Sequence, residues 1–273
     1  MKSCLYLSLF WLLGILSGCS NTRFLSEDQI LYTGRKKVEI IKSEDEIKAL
    51  PVRNYVESIT NHKVNNSLFG YRVLPPVGLW VHNYIKVDKG KKFKKWLYKT
   101  LSSDPVLMSD VNPELRSSKI ENDLFDMGYF NSNAWSVVDT NRRNPHKAKV
   151  TYFINLTSPF HYYKIVADTV TDQIDSLIRK DKIMTEIKTG EQFNLEKIKT
   201  SRANLSRRIQ DSGYFYFTPE YIEIKADTLV GKNLMNLMIG KKMNLPETVT
   251  SIYKINNIDI INLQKSDSTG SKT

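Results

Sequence analysis

The sequence predicts an α+β protein built of tandem β-α-α-β-β units behind an N-terminal export segment. Three observations carry this expectation. An apolar run opens the chain; the pentapeptides DMGYF (Asp126–Phe130) and DSGYF (Asp211–Phe215) recur about one small domain apart; and after each of them the hydrophobic pattern changes from helical to alternating. At 273 residues, with 41% hydrophobic and 11% aromatic side chains, the chain has enough apolar material for real cores.

The export segment comes first. Met1-Lys2 precedes CLYLSLFWLLGIL (Cys4–Leu16), a single positive charge followed by an apolar stretch, which is the layout of a secretory signal. The stretch is shorter than the ~20 apolar residues a membrane-spanning helix needs. It ends in Leu16-Ser17-Gly18-Cys19, which resembles the bacterial lipobox: an aliphatic residue, two small ones, then the cysteine that is lipidated and becomes the mature N-terminus. The competing reading is an ordinary signal peptide with an incidental cysteine. Cys4 lies in the part to be removed and Cys19 carries the lipid, so no thiol remains for a disulfide, a metal or a nucleophile. One acyl chain holds a protein only marginally, at roughly 0.8 kcal/mol per buried methylene, whereas several give lasting attachment. The expected segments are a signal peptide over 1–18 and a lipidated tether over 19–33.

The second DxGYF copy has the clearer surroundings. Tyr162 to Asp168 reads as a strand, and Thr171 is placed to cap a short helix carrying Ile174, Leu177 and Ile178 on one face. Asn194 is placed to cap a longer helix with Leu195, Ile198, Leu205 and Ile209 at helical spacing. Gly213 stops that helix in a left-handed conformation that glycine adopts without strain, and Tyr214-Phe215 are positioned to fold back on its last turn. Ile222, Ile224 and Ala226 then alternate with Glu223, Lys225 and Asp227, and a loop around Gly231 leads to Leu234–Ile239. Around the first copy, Asn112 caps, Pro113 takes the first helical position, and Ile120, Leu124 and Met127 precede Gly128 with Tyr129-Phe130; a hairpin follows, turning at TNRRNP. Pro105 to Met108 is the expected opening strand of this unit. A weaker unit precedes it: Lys37 to Ile41 as strand, Glu46 to Thr60 as a broken helix, Leu68 to Tyr84 as the remainder. The expected boundaries are 34–103, 104–160 and 161–243 for three units, with a trailing strand and polar tail over 244–273.

Candidate chemistry is sparse. His62, His82, His146 and His161 are far apart and lack metal-ligand spacing, and no nucleophile elbow, zinc-protease helix or phosphate loop occurs, so neither a catalytic, a cofactor nor a metal site is expected. The net charge of +11 is scattered, and without a nucleic-acid reading motif it describes a solvated surface. The sharpest basic feature is KGKKFKKWLYK (Lys89–Lys99), where Lys92, Phe93, Lys95 and Trp96 suit an anionic membrane surface; the plainer reading is a linker helix whose aromatics pack on a neighbour. Backbone recognition remains: a small sheet with an open edge accepts an extended segment as an added strand. Tyr221, Ile222, Glu223, Ile224, Leu237 and Ile239 form the hairpin expected to contain that edge.

A unit of this order and size, with its Gly-aromatic-aromatic stop, resembles the POTRA (polypeptide-transport-associated) domain, arrays of which precede the membrane β-barrel in the BamA/TamA superfamily of outer-membrane assembly factors. A lipobox in front of the array is similar in particular to the TamA-like lipoproteins (TamL) of Bacteroidetes. The stretches that carry the resemblance are NTRFLSEDQILYTGRKKVEI, LFGYRVLPPVGLWVHNY, DPVLMSD, DMGYF, SPFHYYKI and DSGYF with IEIKADT, in that order. The resemblance implies a non-enzymatic, outer-membrane-anchored module facing the periplasm. Its partners would be unfolded outer-membrane protein clients, the assembly machinery or a separately encoded β-barrel, and the lipid bilayer through Cys19. The barrel is the departure: past Ile261 comes QKSDSTGSKT, so truncation, a split gene and a stand-alone lipoprotein all stay open. So do a surface-displayed scaffold without an assembly role, against which the residues SNTRF after Cys19 argue, and a periplasmic hydrolase.

Overall fold

The computed structural model describes residues 22, 24–42, 46–65, 67–68, 71–72, 77–84, 92–169, 171–181 and 186–260. The expected signal peptide, Cys19 and the polar tail beyond residue 260 lie outside them. The chain divides into two compact units, Met1–Phe160 and His161–Thr273.

The second unit follows the expected order: β6 (His161–Ala167), α6 (Gln173–Lys180), α7 (Leu195–Asp211), a 3-10 turn (Pro219–Tyr221), β7 (Ile222–Asp227), β8 (Leu234–Lys241) and α8 (Glu247–Thr250). Its sheet has the order β6-β8-β7, with β6 parallel and β7 antiparallel to the central β8. Ile174 and Ile178 of α6 and Leu205 and Ile209 of α7 form one core with Tyr214, Phe217, Ile222 and Ile239. The cap of α6 is Asp172, which accepts from the Asp175 amide at 3.0 Å, one residue past the expected Thr171. The shift has a reason: Thr171 donates both its amide and its hydroxyl to the Asp175 carboxylate, at 2.9 and 2.6 Å, so its side chain is engaged one step before the helix. Asn194 caps α7 as expected, accepting from Lys197 N at 2.9 Å.

The first unit corrects the expected division. The expected units at 34–103 and 104–160 are one. Its elements are β1 (Leu31–Lys42), α1 (Glu46–Thr60), β2 (Ser67–Leu68), β3 (Tyr71–Arg72), α2 (Val77–Tyr84), α3 (Lys92–Leu101), α4 (Met108–Val111), α5 (Pro113–Asp126), β4 (Asn133–Asn141) and β5 (Asn144–Asn155). β1 pairs in parallel with β5, and β4 pairs antiparallel to β5 on the other side, giving the order β1-β5-β4. This is the sheet of the second unit again: first strand parallel to the last, with the last in the middle. The opening strand of the DMGYF unit is therefore β1, not Pro105–Met108, and residues 61–111 are an insertion between the two helices. Leu107 makes a single antiparallel bridge to Leu31 instead of forming a strand. A full-length strand was needed because the helix pair and hairpin leave the second side of β5 bare, and the twelve-residue β1 matches its length. α1 runs continuously through Pro51 rather than breaking there. Val52 and Val56 of α1, Ile120 and Leu124 of α5, and Val150, Tyr152 and Ile154 of β5 make the core.

Two tyrosine hydroxyls of the first core differ in their partners. The Tyr55 hydroxyl donates to Asp123 at 2.6 Å, and burial, reinforced by that bond to a carboxylate, pushes its pKa up to about 12. The Tyr152 hydroxyl is buried with no hydrogen-bond partner among the described residues, and burial pushes it up to about 12 as well.

Candidate functional site

The DxGYF repeat proves to be a helix end of one design. Gly128 and Gly213 have φ of +91° and +101°, the left-handed region expected of them. In each copy the glycine amide and the next amide bond back to the helix: Gly128 N to Phe125 O and Tyr129 N to Leu124 O, both at 2.9 Å, and Gly213 N to Gln210 O at 2.9 Å with Tyr214 N to Ile209 O at 3.4 Å. This pair of bonds satisfies the last helical carbonyls as a Schellman motif does. Tyr129 and Tyr214 are buried on the helix end. The aromatic after them differs between copies: Phe130 is held between Phe125 and Phe160, at centroid distances of 4.7 and 5.0 Å, whereas Phe215 is exposed and leans on Tyr216.

The same glycines also receive the chain as it leaves each unit. Phe160 donates its amide to Gly128 O at 2.9 Å, and Tyr253 donates its amide to Gly213 O at 2.8 Å. An aromatic pair seals each return, Phe130 with Phe160 and Tyr216 with Tyr253, both with centroids 5.0 Å apart. This second role of the repeat was not foreseen.

The sheets place the expected docking edge. Leu237 and Ile239 lie in β8, the central strand, paired on both sides, so they cannot accept another strand; this corrects their assignment to an edge. Tyr221 belongs to the 3-10 turn before β7. Ile222, Glu223 and Ile224 do lie in an edge strand, β7, with Ile222 buried in the core and Glu223 paired outward with Lys225 at 3.0 Å.

Each sheet has two edges, and in each unit one of them is covered by the segment that precedes the second helix. Along β1, Tyr32 N bonds to Val106 O at 2.9 Å and Met108 N to Ile30 O at 2.8 Å. Along β6, Tyr162 N bonds to Glu191 O at 2.9 Å and Gly190 N to Tyr162 O at 2.7 Å. The remaining edges, β4 and β7, have ladder partners on one side only among the described residues.

The two open edges are not alike. β7 is six residues long and bears a salt-bridged charge pair, a common way of blunting an edge against pairing. β4 is nine residues long, and Trp135, Val137 and Val138 are exposed along it. Its two faces are distinct. Ala134, Ser136 and Val138 stand opposite Ile154, Tyr152 and Val150, on the helix side; Trp135 and Val137 stand opposite Phe153 and Thr151, on the outer side, where Trp135 stacks on Phe153 at 5.6 Å. On the helix side Ser136 and Val138 form one bank of an open groove of about 440 Å³, and Met108, Asn112, Pro113 and Glu114 form the other. Asn112 holds that bank in place: left-handed at φ +43°, it accepts from Leu115 N at 3.2 Å and caps α5, with Pro113 as the first helical residue. Electrostatics tidy the far end of the strand. A hydrogen bond from Thr151, helped by Lys36 at 3.2 Å, holds the Asp139 carboxyl below its usual range.

From Lys92 on, the basic segment lies in α3; Lys89 to Lys91 lie outside the described residues. Lys92, Phe93, Lys95 and Trp96 are all exposed, the helix has no buried residue, and Phe93 stacks on Trp96 at 5.9 Å. Among the described residues no group of three His, Cys, Asp or Glu is placed to hold a metal, and no helix is long and apolar enough to cross a membrane.

Comparison with known proteins bears on the second unit most directly. Residues 171–237 match the POTRA family model, described as a surface antigen variable number repeat. The match runs from the residue before the cap of α6 into β8, and the first unit repeats the same strand order and pairing, so the chain is an α+β protein of tandem POTRA-like units. Among solved structures, it is similar to POTRA1-2 of the periplasmic domain of Omp85 from Anabaena, at 14% identity over 80% of this chain and 99% of that one, with a TM-score of 0.36. It is also similar to POTRA3-5 of BamA from Haemophilus influenzae, at 18% identity over 55% of this chain and 54% of that one, TM-score 0.29, and to CdiB from Acinetobacter baumannii, at 12% identity over 88% and 37%, TM-score 0.30. No curated protein matches the chain.

Proposed function

We propose that this chain is a lipid-anchored POTRA-repeat module of the outer membrane, facing the periplasm. In this reading it takes part in the assembly or translocation of outer-membrane β-barrel proteins by pairing extended client or partner strands with its own sheet edge. It acts by recognition and carries out no reaction. The observation that carries the reading is the open edge of β4 with a groove of mixed polar and apolar lining beside it. A strand added there continues the sheet through backbone hydrogen bonds, which are indifferent to sequence, while alternate side chains enter the groove past Ser136 and Val138. Clients whose strands vary in side chain but share a backbone suit such a surface. The POTRA match over residues 171–237 and the lipobox-like Leu16-Ser17-Gly18-Cys19 support the location. The motif order that resembles the TamA-like lipoproteins supports a partnership with an assembly machinery or a separately encoded β-barrel.

The edge differs from the one expected in the hairpin over Tyr221–Ile239: β4 is longer than β7, exposes Trp135, Val137 and Val138, and has the groove beside it. A photo-crosslinker placed at Ser136 or Val138 in the native host tests the reading. β-barrel client segments or assembly partners are expected in the crosslinks, at a yield well above that from a probe at Glu223. Crosslinks to neither class, with the protein correctly located, would sink it.

A further inference from the structure

We propose that Tyr84 at the end of α2 with Lys92, Phe93, Lys95 and Trp96 at the start of α3, together the tip of this helix pair, form a docking surface for an anionic phospholipid bilayer. The two helices run antiparallel: Ser103 N bonds to Gly78 O at 3.2 Å at one end, and His82 meets Tyr98 midway, Nδ1 to hydroxyl at 3.2 Å with the rings stacked at 6.1 Å. Tyr84, at the end of α2, therefore lies at the same end of the hairpin as Phe93 and Trp96 near the start of α3. The ring of Phe24 meets Tyr84 edge-on at 5.5 Å and so joins that end. Two aromatic pairs, Phe24 with Tyr84 and Phe93 with Trp96, therefore lie at this end, and all four rings are exposed: Phe24 at 53%, Tyr84 at 44%, Phe93 at 67% and Trp96 at 58%.

The chemistry of α3 selects the occupant. KFKKWLYKTL bears Lys92, Lys94, Lys95 and Lys99 and has no acidic residue. A protein groove that covered four aromatics would need their lysine neighbours matched by several carboxylates. A lipid surface supplies diffuse negative charge for the lysines and an interfacial layer for amphipathic rings at once. Tether length agrees. The chain from Cys19 to Phe24 reaches at most about 18 Å, so an acyl anchor at Cys19 would hold this tip within that distance of the bilayer and make docking nearly intramolecular. That last point rests on the anchored reading above; the aromatic and lysine composition does not.

The test uses the full chain inserted in vesicles of phosphatidylethanolamine with phosphatidylglycerol, acyl-brominated, and in brominated phosphatidylcholine vesicles for comparison. The Trp96 signal is isolated as the difference between the parent chain and Trp96→Phe. Quenching of Trp96 in the anionic vesicles and not in the neutral ones is expected, and Lys92→Gln and Lys95→Gln should each lower the docked-to-undocked ratio about fivefold, the effect of one lysine near an anionic surface. Equal quenching in both vesicle types, or a Trp96 emission that shifts with protein concentration and is insensitive to anionic lipid, would overturn the proposal, the second outcome assigning the patch to another copy of the chain. Mass measurement of acylation at Cys19 and the client crosslinks from β4 are independent of this readout, so failure of the anchored or assembly reading is seen separately.

Discussion

The two units have the same sheet, the same helix ends and the same docking of the departing chain, yet they differ in what lies between their helices. In the second unit a short connection, residues 181–194, joins α6 to α7, and its end covers the outer edge of β6 through Gly190 and Glu191. In the first unit the corresponding connection has grown to residues 61–111 and carries β2, β3, α2, α3 and α4. Its last residues, Val106 to Met108, still cover β1 in the same way. The scaffold thus tolerates a large addition at one position, provided the edge-covering step before the second helix is kept. The cost of lengthening a surface connection rises only slowly with its length, so such an insertion is a natural place to add a surface, and the aromatic tip of α2–α3 lies there.

The largest effects should separate the two cores. Leu124 and Leu205 are fully buried in the first and second core respectively. Replacing either with alanine should cost about 2–5 kcal/mol. Trp80, Trp96 and Trp135 belong to the first unit, the fourth tryptophan, Trp11, lying in the expected signal peptide, so Leu124→Ala should lower the midpoint of the tryptophan-detected unfolding transition. Leu205→Ala should lower the transition seen by far-ultraviolet circular dichroism while moving the tryptophan signal much less. Equal shifts of the tryptophan midpoint would mean that the chain unfolds as one body.

A charge cluster of the second unit should have the next largest effect. Lys241 Nζ donates to Asp175 at 2.7 Å and lies 3.1 Å from Asp172. Burial pushes the Asp175 carboxyl up, but bonds from Lys241 and Thr171 outweigh it and hold the carboxyl below its usual range; the two aspartates likewise outweigh burial and raise Lys241. A depressed carboxylate contributes stability that is complete above its unfolded-state pKa and is lost as pH falls through the folded-state value. The second unit should therefore lose stability in the acid range, and Asp175→Asn should cost on the order of 1–3 kcal/mol at neutral pH and progressively less as the pH falls. An acid titration of the circular-dichroism transition, with and without the substitution, checks both. A constant difference between the two proteins down to low pH would count against this origin.

Alanine at the helix-stop glycines should cost about 1–2 kcal/mol each for a forced left-handed residue. Gly213→Ala carries a further penalty, since the new Cβ would stand 2.8 Å from Ile252 Cγ2 and press on the segment that Tyr253 docks. Chemical denaturation together with protease sensitivity near Ile252 would read both parts. The smallest pair has opposite signs. Tyr55→Phe removes a made hydrogen bond and should cost about 1 kcal/mol, whereas Tyr152→Phe removes a buried hydroxyl without a partner and should be neutral or slightly stabilising.

Local features of the fold were legible because they depend on short-range chemistry. Asn112-Pro113, Asn194, Gly128 and Gly213 take the conformations their residue types favour, and the hairpin expected to turn at TNRRNP does form. What escaped the sequence is non-local. Nothing within Lys37–Ile41 says that its partner is β5, more than a hundred residues away, and Pro105–Met108 has the composition of a strand while its place is beside β1 as a single bridge. The edge escaped for the same reason. Ile239 and Ile224 alternate equally well, and only the pairing of β6 with β8 makes the first central and leaves the second at the border. The aromatics of α3 were a choice between packing and exposure, which residue type leaves open and the exposure of Phe93 and Trp96 decides.

The central claim, that β4 is where an extended segment adds to the sheet, is tested most directly by residue-resolved amide hydrogen exchange of the full chain with and without a peptide copied from an outer-membrane β-strand. Added protection at alternate amides along Asn133–Asn141, with β7 unchanged, is the predicted result, because an added strand bonds every second amide of an edge. Protection confined to β7, or to side-chain pockets with the β4 amides still exchanging freely, would contradict it.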